Sequence, residues 1–362
     1  MSIFEVNIRI HFMALLSISL LEAFFKKEKE TALFGRWIRF SDIAPLIHTY
    51  EKYTTVKQIG LSEQQRPIYS IQLGTGKKKI LVWSQMHGNE STGTKSIFDL
   101  LNTLTQSSEA CVQQILNTCT LQIIPMLNPD GAEVYTRVNS KKIDLNRDAV
   151  ARTAIESKIL RHTLDSFQPD FCFNLHDQRT IFGVEGTSKP ATISFLAPSE
   201  DVNRTLTAGR KQTMNIIVAM NNLLQQVIPN GVGRYTDEFY PTATGDNFQK
   251  LGYNTILIEA GHYPDDYERE ITRKYHFYAL LQGIHHIVSN DDYAVYKPYF
   301  DIPNNVKNFY DVVHRYPNQN RSCDAYQYEE KIIKNTLVFD LQKVAEKQIE
   351  NPLSHNEILF EA

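Results

Sequence analysis

Ile80-Leu81-Val82-Trp83-Ser84-Gln85-Met86-His87-Gly88-Asn89-Glu90 joins an apolar run to a histidine followed three residues later by a glutamate. A short run of this kind, apolar at successive positions, reads as a strand buried on both faces of a sheet. In open α/β sheets the groups that meet ligands sit on loops at the carboxyl ends of strands. Every candidate motif therefore faces one question: does it follow a strand? His87 does. An H-x-x-E pair offers one imidazole and one carboxylate, both suitable for zinc. A chain with eleven histidines is expected to show about 0.7 such pairs by chance. His48-Thr49-Tyr50-Glu51 is one competitor. It falls inside an amphipathic helix expected over residues 43–53, with Ser41 placed to cap it, and reads as helix surface.

Working outward, residues 69–74, 80–85, 120–127, 170–175 and 255–258 read as strands. Residues 92–104, 151–167, 201–227 and 268–288 read as helices. This alternation predicts an α/β fold with a mixed, mostly parallel central sheet and helices on both faces. Beyond about residue 292 the alternation fades. Residues 296–321 look loop-like, and 331–349 suggest a strand and a helix.

Other strand ends carry further chemistry. His176 closes the buried run 170–175 and would complete a two-imidazole, one-carboxylate set with His87 and Glu90. Taken alone it reads as a core histidine. Asn128-Pro129-Asp130-Gly131 follows the strand at 120–127 and is a turn signal in its own right. Arg137 and Arg147, with Asn146 on the same short stretch, suit a substrate carrying a carboxylate and a polarised carbonyl. Glu259 ends the apolar strand 255–258, where a carboxylate is unusual in a pure core element. It reads either as a structural ion-pair or capping group or as a general base.

Taken in order, His87-x-x-Glu90, Asn128-Pro129-Asp130-Gly131, Arg137, Asp144-x-Asn146-Arg147, His176 and Glu259 resemble the zinc metallocarboxypeptidases of the carboxypeptidase A type. The resemblance spans roughly residues 65–290 and is nearest to bacterial, non-digestive branches. It implies a carboxypeptidase-like fold and one zinc ion per chain, bound by His87, Glu90 and His176. Asp144 would orient His87. Arg137 would stabilise the oxyanion, and Asn146 with Arg147 would hold the substrate's terminal carboxylate. Glu259 would be the general base. Tyr240 matches a mobile tyrosine that closes over substrate, with Tyr235 and Tyr253 as the other choices. The partner implied is a peptide with a free C-terminal carboxylate. Asp246, near the floor of the pocket for the terminal residue, points to a basic side chain or serves as a structural acceptor. The alternative reading is an N-acyl amino acid amidohydrolase of the aspartoacylase or succinylglutamate desuccinylase type, which shares H-x-x-E and a downstream histidine. The turn at 128–131 and the spaced arginines favour the peptidase. A non-catalytic zinc or peptide-binding module is disfavoured because ligands, base and arginines occur together.

Composition sets the outer bounds. The chain has 362 residues, 38 Lys and Arg against 41 Asp and Glu, and a net charge of −3. That balance argues against a dedicated nucleic-acid binder, and no apolar stretch predicts a membrane helix. The cysteines, Cys111, Cys119, Cys172 and Cys323, form no CxxC pair. They read as thiols of a reducing compartment, and the expected location is cytoplasmic. The run at 10–21 is apolar but meets Glu22 and a Lys/Glu-rich stretch without an A-x-A site. Residues 1–40 are therefore expected to be an apolar helix packed on the domain or a poorly ordered extension, with Met13 as another possible start. Residues 41–292 are the expected catalytic domain, and 293–362 a C-terminal appendage.

Overall fold

Successive residues of one central strand face opposite layers of the molecule. Ile80 and Val82 pack into one buried cluster, while Leu81 and Trp83 pack into another. The computed structural model describes residues 14–316, 323–344 and 352–360. In chain order the elements are α1 (Ile18–Glu28), α2 (Phe40–Thr49), β1 (Thr55–Leu61), β2 (Pro67–Leu73), β3 (Lys78–Trp83), α3 (Thr92–Gln106), α4 (Ala110–Thr118), β4 (Cys119–Ile124), α5 (Pro129–Glu133), α6 (Ile155–Phe167), β5 (Phe171–Asp177), β6 (Phe182–Val184), β7 (Ile193–Leu196), α7 (Ala208–Leu224), β8 (Val232–Arg234), α8 (Thr244–Lys250), β9 (Asn254–Ala260), α9 (Glu270–Ser289), β10 (Asn305–Lys307), β11 (Phe309–Arg315), β12 (Cys323–Ile333), β13 (Thr336–Lys343) and β14 (Leu353–Leu359).

The main sheet has eight strands in the order β1-β2-β4-β3-β5-β9-β7-β8. Its centre, β4-β3-β5-β9, is parallel, and antiparallel pairs flank it. Side chains from α1, α3, α7 and α9 fill one face: Leu21, Phe98, Met214 and Phe277 are buried there. Leu160 and Leu164 of α6 and Phe248 of α8 cover the other. Cover on both faces is why the central strands read as unbroken apolar runs.

Strand order places the crevice. From β3 the chain crosses to β4 on one side, then returns past β3 to β5 on the other. Connections leaving in opposite directions open a gap at the carboxyl ends of β3 and β5, where side chains can meet without a covering loop.

Several boundaries differ from expectation. α2 starts at Phe40 rather than behind Ser41, because the Asp42 carboxylate takes the Arg39 N–H at 2.8 Å. α6 starts at Ile155, since Asp148 accepts from the amides of Thr153 and Ala154 and holds that stretch in a turn. α7 starts at Ala208, capped by the Thr207 hydroxyl. Asn128-Pro129-Asp130-Gly131 opens the short helix α5, and the Asn128 side chain accepts from Gly131 N at 2.9 Å.

The C-terminal stretch also departs from expectation. The loop-like region contains β10, which pairs with β6, and β11. Instead of a strand and a helix, 331–344 holds the end of β12 and its hairpin partner β13. Lys334 and Asn335 at the turn both have positive φ, the backbone a tight two-residue hairpin requires. Residues 317–321 and 345–349 of those two expectations lie outside the described residues. β11 to β14 form a four-stranded sheet. Glu330 ties it to the body through Arg36 (2.6 Å) and the Tyr135 hydroxyl (2.6 Å).

At the other end, Leu21 and Phe24 of α1 are buried in the main core, and Leu16 N donates to Gln282 at 2.9 Å. Residues 1–13 lie outside the described part of the chain. Among described residues no helix is long and apolar enough to cross a membrane.

One buried ion pair joins α3, α9 and the segment after α1. Arg273 of α9 donates to both Asp99 oxygens of α3 at 2.7 and 2.6 Å, and to the carbonyls of Leu33 and Glu30. Removing the carboxylate leaves a guanidinium buried without its main partner. Asp99→Ala is expected to lower unfolding stability by about 3–5 kcal/mol. Equilibrium denaturation checks this, and a loss below about 1 kcal/mol would contradict it.

Candidate metal and substrate site

The loop after β3 and the end of β5 deliver three donors to the crevice. His87, Glu90 and His176 are all buried, and one ligand atom from each lies within 4.8 Å of the others. His87 Nδ1 sits 2.8 Å from Glu90 Oε1. His176 Nδ1 sits 2.8 Å from Glu90 Oε2 and 3.1 Å from His87 Nδ1. The two imidazoles thus turn ring nitrogens toward one another and toward a shared carboxylate. Two imidazoles and a carboxylate match the donor set of a catalytic zinc site with a position left for water.

Close approach of two loops makes this possible. A Cβ on Gly88 would lie 2.0 Å from the Gly131 carbonyl carbon, so only glycine lets the His87 loop sit against the start of α5. Asn128 fastens the contact by donating to Met86 O at 3.1 Å.

Around the donors is a holding shell. Asp144 Oδ1 lies 3.1 Å from His87 Nε2, which fixes the ring so that Nδ1 faces the donors. Arg137 donates to Asp144 Oδ2 at 3.0 Å and to Glu90 Oε1 at 3.2 Å. Asp177 N donates to Glu90 Oε2 at 3.1 Å. Burial opposes the charge on Glu90, but the two histidines hold its carboxyl well below the ordinary range. Burial likewise opposes the charge on Asp144, and His87 and Arg137 keep it ionised far into acid. His87 is raised, its burial outweighed by Glu90 and Asp144. His176 is lowered by burial, only partly offset by Glu90.

Glu259 arrives from β9. The parallel register pairs it with His176, so the two side chains stand on the same side of the sheet. Its carboxylate takes no hydrogen bond from the described residues. Burial, then the Glu90 and Asp177 carboxylates, push its pKa well above the usual value.

His87, Glu90, His176, Arg137, Asn146, Arg147, Tyr240 and Glu259 all line a single cavity of about 300 Å³. Asp144 stands behind it, against His87. Asn146 and Arg147 are on its wall. Asn146 Oδ1 accepts from Thr244 N at 3.0 Å, which turns its NH₂ group outward. Arg147 is exposed and anchored by one bond to Asn146 O at 2.7 Å. Tyr240 is 49% exposed at the rim, its hydroxyl donating to Glu238 at 2.8 Å. Tyr235 also lines the cavity, whereas Tyr253 packs near α8 in the second core cluster. Asp246 lines the cavity too and accepts from Tyr240 N at 3.2 Å. Burial pushes its pKa up to about 6.

The decoy pair separates cleanly from this group. His48 and Glu51 form an exposed pair at 2.8 Å at the end of α2. None of the four cysteines lines the cavity.

Sequence reasoning missed the Asp177–Arg269 pair. Arg269 is fully buried and ion-paired to Asp177 at 3.1 Å, and it donates to Ala260 O at 3.0 Å and Gln178 O at 2.5 Å. It ties together the ends of β5 and β9 that carry His176 and Glu259. The only local signal was an aspartate directly after His176.

Comparison with known proteins points to zinc carboxypeptidases. The family model described as zinc carboxypeptidase matches residues 42–174. Carboxypeptidase E of Caenorhabditis elegans is 31% identical over 117 residues, 26% of this chain and 25% of that protein. The match therefore spans only a quarter of that relative's length. The structure is similar to a metallo-carboxypeptidase from Burkholderia cenocepacia, with a TM-score of 0.56 and 17% identity over 69% of each chain. It is also similar to carboxypeptidase A from Helicoverpa armigera, with a TM-score of 0.56 and 15% identity over 75% of this chain and 80% of that one.

Two substitutions test the donor set. His176→Ala is expected to abolish stoichiometric zinc after dialysis, read by elemental analysis. Asp144→Asn keeps the three donors and should weaken zinc roughly 10–100-fold. Unchanged affinity in Asp144→Asn would remove its orienting role.

Proposed function

We propose that this chain is a zinc carboxypeptidase that removes the C-terminal residue of peptides by hydrolysis; the match of residues 42–174 to the zinc carboxypeptidase model and the likeness of the fold to such enzymes support the reading. One observation carries the reading: a carboxylate without a partner, Glu259, and a set of cationic and amide donors share one cavity with the three-donor cluster.

Zinc held by His87, Glu90 and His176 would supply Lewis acidity, lowering the pKa of a water and polarising the scissile carbonyl. The chain's own groups do the rest. Arg147 offers an exposed guanidinium, and Asn146 offers its outward NH₂, to the terminal carboxylate of the substrate. Together they set the register, so that the last amide bond lies over the donor cluster. Arg137 uses Nε and Nη1 on Asp144 and Glu90. Its Nη2 is left to donate to the negative charge that develops on the carbonyl oxygen.

Glu259 takes the proton from the attacking water and passes it to the leaving amine. Burial and the Glu90 and Asp177 carboxylates raise its pKa, which makes it a stronger proton acceptor than an ordinary carboxylate. Tyr240 stands on the β8–α8 connection, tied through its hydroxyl only to exposed Glu238. We assign it the role of closing over bound substrate. Asp246 keeps one oxygen on Tyr240 N and faces the cavity, where it would favour a basic terminal side chain.

Glu259→Gln is expected to retain one zinc per chain while turnover falls about a thousandfold. Near-normal turnover with stoichiometric zinc would overturn the assignment. A peptide digest read by mass spectrometry should show stepwise loss of C-terminal residues, and internal cleavage would reject exopeptidase action. Peptides ending in an amide should be poor substrates, and Arg147→Gln should erase most of the discrimination between acid and amide ends.

A further inference from the structure

A second groove, of about 1100 Å³, adjoins the catalytic cavity and shares Arg147, Tyr235 and Tyr240 with it. The charge of its walls is unlike that of its neighbour. The catalytic cavity is rich in carboxylates, among them Glu90, Glu238, Asp246 and Glu259. The groove is lined by Arg147, Arg204, Arg210, Arg234 and Lys307 against the single carboxylate of Asp237. Two of these cations are already committed. Arg210 is buried and ion-paired with Asp237, and Arg204 reaches Asp237 at 3.2 Å and Glu238 at 3.7 Å.

The other three carry charge to spare. Arg147, Arg234 and Lys307 form no ion pair with any described residue. Arg234 is held without a carboxylate. Its guanidinium lies 5.3 Å from the Tyr299 ring centre and 5.7 Å from that of Phe300. Its Nη2 donates to Asn304 at 3.1 Å, and its Nε is buried without a partner. Rings and an amide orient a guanidinium but do not neutralise it. Lys307 is exposed on β10, with its ammonium 5.9 Å from the Phe182 ring centre. Three uncompensated cations on one groove run against the chain's net charge of −3. The attraction for anions is therefore local.

We propose that this groove is an extended subsite for an acidic segment of the peptide substrate, so that the preferred substrates carry Glu or Asp close to the residue being removed. The inference rests on the peptidase reading above, because the groove opens from the cavity in which the peptide terminus would lie. The cations sit beyond Tyr235 and Tyr240, where neighbouring parts of the same peptide would pass. Partly exposed pairs contribute modestly each; with Arg147 engaged by the terminal carboxylate, Arg234 and Lys307 acting together are expected to give roughly a tenfold preference.

The experiment measures kcat/KM for matched peptides with one shared C-terminal residue and Glu or Gln at each of the other positions, at low and high salt. The zinc-loaded full chain is compared with Lys307→Glu and Arg234→Gln. The expected result is a roughly tenfold preference for Glu peptides at low salt, carried mostly in KM and shrinking with salt. Lys307→Glu, at an exposed position, should cut that preference several-fold, as should Arg234→Gln. Equal rates for Glu and Gln peptides would overturn the proposal, as would an unchanged preference in Lys307→Glu. If no peptide is hydrolysed, the peptidase reading fails instead. Titration with a labelled Glu-rich peptide then still tests the groove, with salt-sensitive binding weakened in Lys307→Glu supporting it and no binding rejecting it. An oligonucleotide of equal charge that binds as tightly as the peptide would overturn the peptide assignment.

Discussion

The Glu90 carboxylate takes contacts from four groups that arrive along separate paths. His87 comes from its own loop, Arg137 from the stretch after α5, and His176 and the Asp177 amide from the end of β5. A buried carboxylate must be surrounded in this way, because an ionised group without partners is far too costly away from water. Meeting that requirement brings β3, β5 and the arginine-bearing loop into one arrangement. The donors a zinc ion needs then lie together as a consequence. Arg269 extends the arrangement by fastening Asp177 to the end of β9, which carries Glu259.

The sheet topology decides where this can occur. β4 and β5 lie on opposite sides of β3, so the carboxyl ends of β3 and β5 border an open crevice. Gly88 allows the loop after β3 to close on the start of α5 beside that crevice. The peripheral parts are fitted to the same frame. α1 adds apolar side chains to the main core. The C-terminal sheet leans on the body through Glu330 and through Asp311, which accepts from Tyr267 at 2.9 Å. The ring of His355 of β14 packs at a tilt against His262, 4.0 Å between centres, just past the end of β9. Burial and the neighbouring imidazole lower His262 to about 2, so it stays neutral and can pack as an apolar ring.

Legibility in the sequence followed the range of the interaction. The central strands could be read because they are buried on both faces and therefore apolar at successive positions. His87, His176 and Glu259 stood out because each polar group ends such a run. Edge strands gave weaker signals. In β1 every residue is exposed or half-buried, and Lys57 and Gln58 mask the alternation. Strands β6, β8 and β10 have three residues each, too short for any period to show. The starts of α2, α6 and α7 were misplaced by three to seven residues, because Asp42, Asp148 and Thr207 select the first turn through side-chain bonds.

Residue type, order along the chain and position after a strand were enough to single out His87, Glu90, His176, Asp144, the arginines and Glu259 as candidates, which the structure brings to one place, since each stands in a short segment that carries its own signal. Pairing between distant segments was not readable in that way. Arg269 serves the site from nine residues beyond the strand it braces, and nothing near it in sequence marks it out. Arg234 and Lys307 are 73 residues apart and look like ordinary surface cations until β8 and the β6–β10 ribbon bring them to one groove. Local chemistry can be read from local sequence. A shared electrostatic wall is a property of two segments together, and only folding sets the distance between them.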